Sequence, residues 1–229
     1  IRRQRQMCIR DRAYQMVQID GYDYLKTEWR VSLCSYAIAD HGYEEDDFLL
    51  GFAESTFRQG KYSDVMLIYL CKYFNGPTKQ MAELWKAAGE FQIDTFDLEE
   101  RILTQMLYTT DYTPHMEEIY ESYCAGGGRD LVCMAYLSYF ANMYLTEDAV
   151  VPEHVFRQIR ERYLTGGDLN RVCRIALLKY LSENHLSERD RKIADELLDT
   201  CIRHNLYFAF FRKFDEKLLR KYPVSYTHL

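Results

Sequence analysis

Residues able to do chemistry are plentiful in this sequence, and their spacing decides what each could do. Gly60-Lys61 resembles the end of a phosphate-binding loop, but a Walker loop needs four residues between its glycines and a Ser or Thr after the lysine. Here the preceding glycine is Gly51 and Tyr62 follows Lys61, so no hydroxyl is placed for magnesium. Gly126-Gly127-Gly128 and Gly166-Gly167 have the composition of an anion nest. Helix termination in the left-handed region asks for the same glycines without any ligand. Cys201 and His204 stand at i, i+3 and make half a zinc site, with no second pair at matching spacing. His115 and His154 follow helix-start prolines and are expected as solvated first-turn residues. Cys124, Cys133 and Cys173 lie in or beside apolar runs, where a thiol acts as a small hydrophobe. No G-x-S-x-G occurs. The pairs Glu99-Glu100 and Glu117-Glu118 and the run Glu44 to Asp47 could serve a glycosidase. They fall at predicted helix starts, where the helix dipole favours negative charge. No catalytic residue, metal or cofactor is expected.

Two clusters remain for binding. Arg157, Arg160, Arg162, Arg171 and Arg174 crowd one predicted hairpin and form its sharpest basic patch. Either they meet a protein partner, or they pair with Glu153, Glu161 and Asp168 as a solvated ionic surface. Tyr207, Phe208, Phe210, Phe211 and Phe214 put five rings into one terminal helix. The end repeat of an array normally turns a polar face outward, so these rings are expected to pack on a further domain.

The elements that must position these residues read as helices of two kinds. Asp46 to Gln59, Thr78 to Phe91, Pro114 to Cys124, Pro152 to Leu164 and Ser187 to Arg203 are amphipathic. Val65 to Phe74, Leu131 to Leu145 and Val172 to Leu181 are apolar almost all round, and Leu98 to Thr109 is intermediate. Ser63, Thr78 and Thr113 are plausible N-caps, Pro77, Pro114 and Pro152 suit first turns, and Ser187 with Asp190 fits a capping box. Gly60, Asn75-Gly76 and the two glycine runs are stops. Amphipathic helices begin near 46, 78, 114, 152 and 187, a period typical of two-helix repeats. Ahead of them, Glu28 to Ala39 reads as a helix with Trp29, Leu33, Tyr36 and Ile38 inside.

The 229 residues hold a sizeable core, with 48% hydrophobic and 28% charged residues and only four prolines, which excludes a disordered or collagenous chain. Most of the 20 tyrosines fall at helical spacing and are expected in the core. No apolar run reaches the ~20 residues of a membrane span. Seven cysteines, an odd number without a C-x-x-C, favour reduced thiols and a cytoplasmic setting. Residues 13–150 carry 9 basic and 23 acidic groups, whereas 151–223 carry 15 and 11, a polarity able to steer a partner. The acidic balance opposes a nucleic-acid role.

The ends stand apart. Gln4 to Asp11 and Pro223 to Leu229 resemble translated sequencing-adapter peptides of metagenomic gene predictions, so residues 1–12 and 224–229 are expected as artefactual or disordered tails around a fragment of a longer protein. Residues 20–223 resemble the helical portion of an uncharacterised family of large proteins from gut Clostridia. Gly51 to Tyr62, Tyr73 to Thr78 and Tyr207 to Phe214 carry that resemblance. It implies a multi-repeat context with flanking domains and brings no activity with it.

These features together predict an all-α, right-handed helical-hairpin solenoid with tetratricopeptide-like repeats. An irregular helical lead-in over 13–45 would precede about five hairpins over 46–223. The expected function is a non-catalytic scaffold that binds a protein partner or other domains of its parent chain, with no nucleic acid, membrane or small-molecule ligand. A fragment of a helical-toroid enzyme acting on carbohydrate or phosphorylated substrates is the alternative.

Overall fold

The computed structural model describes residues 2–106, 115–147, 149–184 and 187–203. Among them the chain is entirely helical: α1 (Arg2–Asp20), α2 (Thr27–Asp40), α3 (Asp47–Phe57), α4 (Asp64–Tyr73), α5 (Thr78–Glu90), α6 (Phe96–Gln105), α7 (Met116–Ala125), α8 (Asp130–Thr146), α9 (Glu153–Leu164), α10 (Arg171–Glu183) and α11 (Glu188–Arg203). Every helix anticipated from periodicity is present, with ends shifted by a few residues.

The starts are chemically marked. Asp46 accepts from the Leu49 amide at 2.7 Å, Ser63 from Met66 at 3.2 Å and Asn170 from Cys173 at 3.0 Å, each satisfying an amide that has no partner within its helix. Ser187 forms the expected box, donating to Asp190 Oδ2 at 2.6 Å and accepting from the Asp190 amide at 3.3 Å. Pro77 and Pro152 occupy the N-cap itself, one position before the first turn. Thr78 is therefore the first residue inside α5, buried, with its hydroxyl donating to Gln105 Oε1 at 3.0 Å instead of capping. Thr113 and Pro114 lie outside the described residues.

The helices gather into two compact units, 1–128 and 129–229, the division falling between α7 and α8, within the predicted repeat array. In the first unit each helix packs on its chain neighbour, and α4 also packs on both α2 and α6. In the second, α10 packs on α8, α9 and α11. Contact between alternate helices is what an inner layer of stacked hairpins requires. The apolar sequences of α4, α8 and α10 place them there. Aromatic contacts cement the second unit: the buried Phe156 of α9 stacks on half-buried Tyr180 of α10 at 4.1 Å and meets half-buried Tyr144 of α8 edge-on at 4.9 Å.

In the N-terminal part, α1 runs through the basic segment, and Asp11 accepts a hydrogen bond from Tyr36 of α2. The expectation that Trp29 lies inside α2 needs correction. Trp29 is 70% exposed. The buried stripe of α2 is Arg30, Leu33, Cys34, Ala37 and Ile38, and Trp29 lies about 100° round the helix from Arg30. Arg30 is inside because its guanidinium donates to Ser55 at 2.7 Å and lies 5.0 Å over the Tyr22 ring.

Candidate functional site

Arginines at 160 and 162 are two residues apart on one helix, hence about 200° apart around it. They point to opposite neighbours. Arg160 pairs with Asp190 of α11 at 2.6 Å, and Arg162 pairs with Asp130 at the start of α8. Arg157 and Arg171 are exposed and Arg174 is half-buried. Two of the five arginines thus hold the unit together through acids outside the hairpin, on α11 and α8. Hydrogen bonding to Arg162 holds the Asp130 carboxyl below its ordinary range. The five rings from Tyr207 to Phe214 lie outside the described residues.

The histidines divide. His115 is half-buried, with Nδ1 3.3 Å from Glu118. His154, expected in solvent, is buried, and its Nε2 lies 2.8 Å from the hydroxyl of buried Tyr136 on α8. Of the three cysteines read as core, Cys133 and Cys173 are buried whereas Cys124 is exposed near the end of α7. Burial pushes Cys34 and Cys71 up to about 12 and Cys173 to about 11, which keeps these thiols protonated and poor nucleophiles. Among the described residues no group of three or more His, Cys, Asp and Glu is placed to hold a metal ion.

The carboxylate pairs conceal one unusual residue. Glu99 is 2% exposed, and its Oε1 accepts three hydrogen bonds: Trp85 Nε1 of α5 at 2.9 Å, Thr95 Oγ1 at 2.9 Å and Ser122 Oγ of α7 at 2.7 Å. A buried carboxylate is tolerated only when so satisfied. Its neighbour Glu100 takes the Tyr123 hydroxyl of α7. The Glu99-Glu100 pair thus ties α6 to α5 and α7. The signal was in the sequence, since Glu99 shares a helical stripe with Ile102, Leu103 and Met106.

Glu99 and Ser122 border an open cleft of about 980 Å³ bounded by α4, the α5–α6 connection, α6 and the end of α7. Asp64, Ile68 and Lys72 line it from α4, Phe91 and Asp94 from the α5–α6 connection, and Asp97 from the start of α6. A smaller cleft of about 350 Å³ lies among α3, α4 and α5, with Phe57, Tyr62 and Leu84 on its walls and Arg58, Glu83 and Lys86 among its charged groups.

Residues 46–228 match a family model described as a family of unknown function, DUF5717, C-terminal. The chain belongs to that family. No curated protein and no solved structure matches it. The DUF5717 match opens at Asp46, the cap of α3, and takes in both clefts, Glu99 and the glycine triplet.

In this DUF5717 domain the triplet closes α7 by a left-handed turn. Gly127 has φ +85°, and the amides of Gly127 and Gly128 return to the carbonyls of Cys124 and Tyr123 at 3.2 and 2.9 Å. A Cβ on Gly128 would lie 2.4 Å from the Tyr123 ring.

Proposed function

We propose that this chain is a non-catalytic helical-repeat module, part of a larger bacterial protein, that holds a protein partner. The observation that carries the reading is the division of labour among the helices. The inner helix α10 is taken up in packing on α8, α9 and α11, whereas the helices α3, α5 and α6 carry charged residues beside two open clefts that α4 floors. Open grooves with apolar walls and charged rims suit a peptide chain better than an enclosed small molecule. The groups best suited to chemistry have structural uses: Glu99 accepts three donors, and buried thiols are held protonated. Tetratricopeptide-like hairpins of right-handed sense, in a cytoplasmic setting, fit this role.

Affinity capture on the full chain, washed through a salt series and read by mass spectrometry, tests the proposal. A saturable protein partner that elutes as salt rises is the expected result. Retention of a glycan or nucleotide in place of a protein would overturn it in favour of the enzyme alternative.

A further inference from the structure

The cleft beside Glu99 has a consistent chemical character. Asp64, Ile68 and Lys72 fall at i, i+4 and i+8 of α4, one stripe about 12 Å long. Ile68 is 42% and Phe91 47% exposed, and both line the cleft. Asp64, Asp94 and Asp97 are exposed carboxylates around them, with Glu99 at the back. Two cations stand beside these four acids: the Lys72 ammonium lies 4.8 Å over the Tyr73 ring, and the Arg101 guanidinium, which feels the charge of Asp97, donates to the carbonyls of Cys71 and Lys72, so the carboxylates remain in excess. Phe91 is held at the rim by a left-handed residue that is not glycine, Gln92 with φ +55°. Backbone bonds Gln92 N–H to Gly89 O and Ile93 N–H to Ala88 O, both 3.1 Å, fix that turn.

Two exposed apolar side chains among an excess of carboxylates define the complementary ligand. Nucleic acid is repelled, and among the described residues the acids do not converge on a metal. We propose that this cleft docks a basic amphipathic segment of a partner protein. Its apolar face would lie against Ile68 and Phe91, and its Lys or Arg side chains would meet Asp64, Asp94 and Asp97. The proposal rests on the interaction-module reading and gives that partner its chemistry.

The probe is a short fluorescein-labelled peptide with leucine on one helix face and lysine on the other, titrated into the full chain by anisotropy, alongside a companion with glutamate in place of lysine. The lysine peptide should bind, weaken as salt rises, and lose about tenfold in affinity on both the Asp94→Asn/Asp97→Asn and the Ile68→Glu variants. Lys72→Glu should tighten it. Helicity by circular dichroism should be unchanged in all three variants, whose altered side chains are exposed. Equal binding of the glutamate companion, or affinity within about twofold on the Asp94→Asn/Asp97→Asn variant, would overturn the site. If affinity capture yields a protein partner that the lysine peptide fails to displace, this site falls while the module reading stands. If capture yields no protein, the module reading falls with it.

Discussion

The indole Nε1 of Trp85 donates to Glu99 Oε1 across 2.9 Å, joining α5 to the first turn of α6 through a carboxylate that is almost wholly buried. Ser122 brings α7 to the same oxygen. A first-turn glutamate that would ordinarily face water has become the polar centre of three helices.

Truncating that centre should be severe. Glu99→Ala strands three donors and should cost about 3 kcal/mol in urea denaturation, while Glu99→Gln, which keeps an acceptor oxygen, should cost about 1 kcal/mol. In a Trp29→Phe background both variants should also shift the Trp85 emission. Equal stability of the Ala and Gln variants would show that the shared oxygen is unimportant.

Backbone conformation gives two changes of opposite sign. Gln92 occupies the left-handed position that ends α5, so Gln92→Gly should stabilise by about 1 kcal/mol. Gly128→Ala should destabilise by more than that, because the added methyl meets the Tyr123 ring at 2.4 Å and the Tyr123 carbonyl at 2.7 Å. Thermal melting of the two variants reads both signs.

Thiol reactivity should follow burial. Alkylation of the folded chain at pH 8 should label exposed Cys124 and spare Cys34, Cys71 and Cys173, as mapped by mass spectrometry. The same shifts set an alkaline limit. Unfolded thiols ionise near 9.0 and the folded ones near 11 to 12, so the unfolded chain loses its protons first. Stability should be full below about pH 9 and fall as pH rises toward the folded values.

The Arg162–Asp130 pair adds an acid limb. The folded Asp130 carboxyl lies below its ordinary value, so its contribution is present above that value and fades as pH falls through the folded one. Arg162→Met should flatten this limb in acid titration. Asp130 is largely exposed, so the overall stability change should be small.

Arg160→Glu should destabilise more than Arg157→Glu. The first faces Asp190, whose carboxylate also completes the cap of α11, while the second alters an exposed position on α9. Urea midpoints compare them, and equal midpoints would contradict the pairing.

The helices from α2 to α11 were legible from the chain alone, because their signals are local, whereas α1 was not anticipated. The spacing of Leu67, Leu70 and Phe74, the caps at Ser63 and Ser187, and the stop at Gly126 to Gly128 act within a turn or two of backbone. The all-α class and the inner position of α4, α8 and α10 follow from composition on a 3.6-residue period. Partnerships between helices were not legible. Arg160 and Arg162 look like neighbours in sequence, but helical geometry turns them apart, and their acids arrive from α11 and α8. Glu99, Arg30 and His154 are polar residues whose type says surface. Only packing supplied Trp85 and Ser122, Ser55 and Tyr22, and Tyr136, the groups that make their burial affordable. The cleft of Ile68, Phe91 and Asp94 likewise joins residues a helix and a turn apart. Local backbone preferences are written residue by residue, whereas desolvation of a charge depends on what the rest of the fold brings against it.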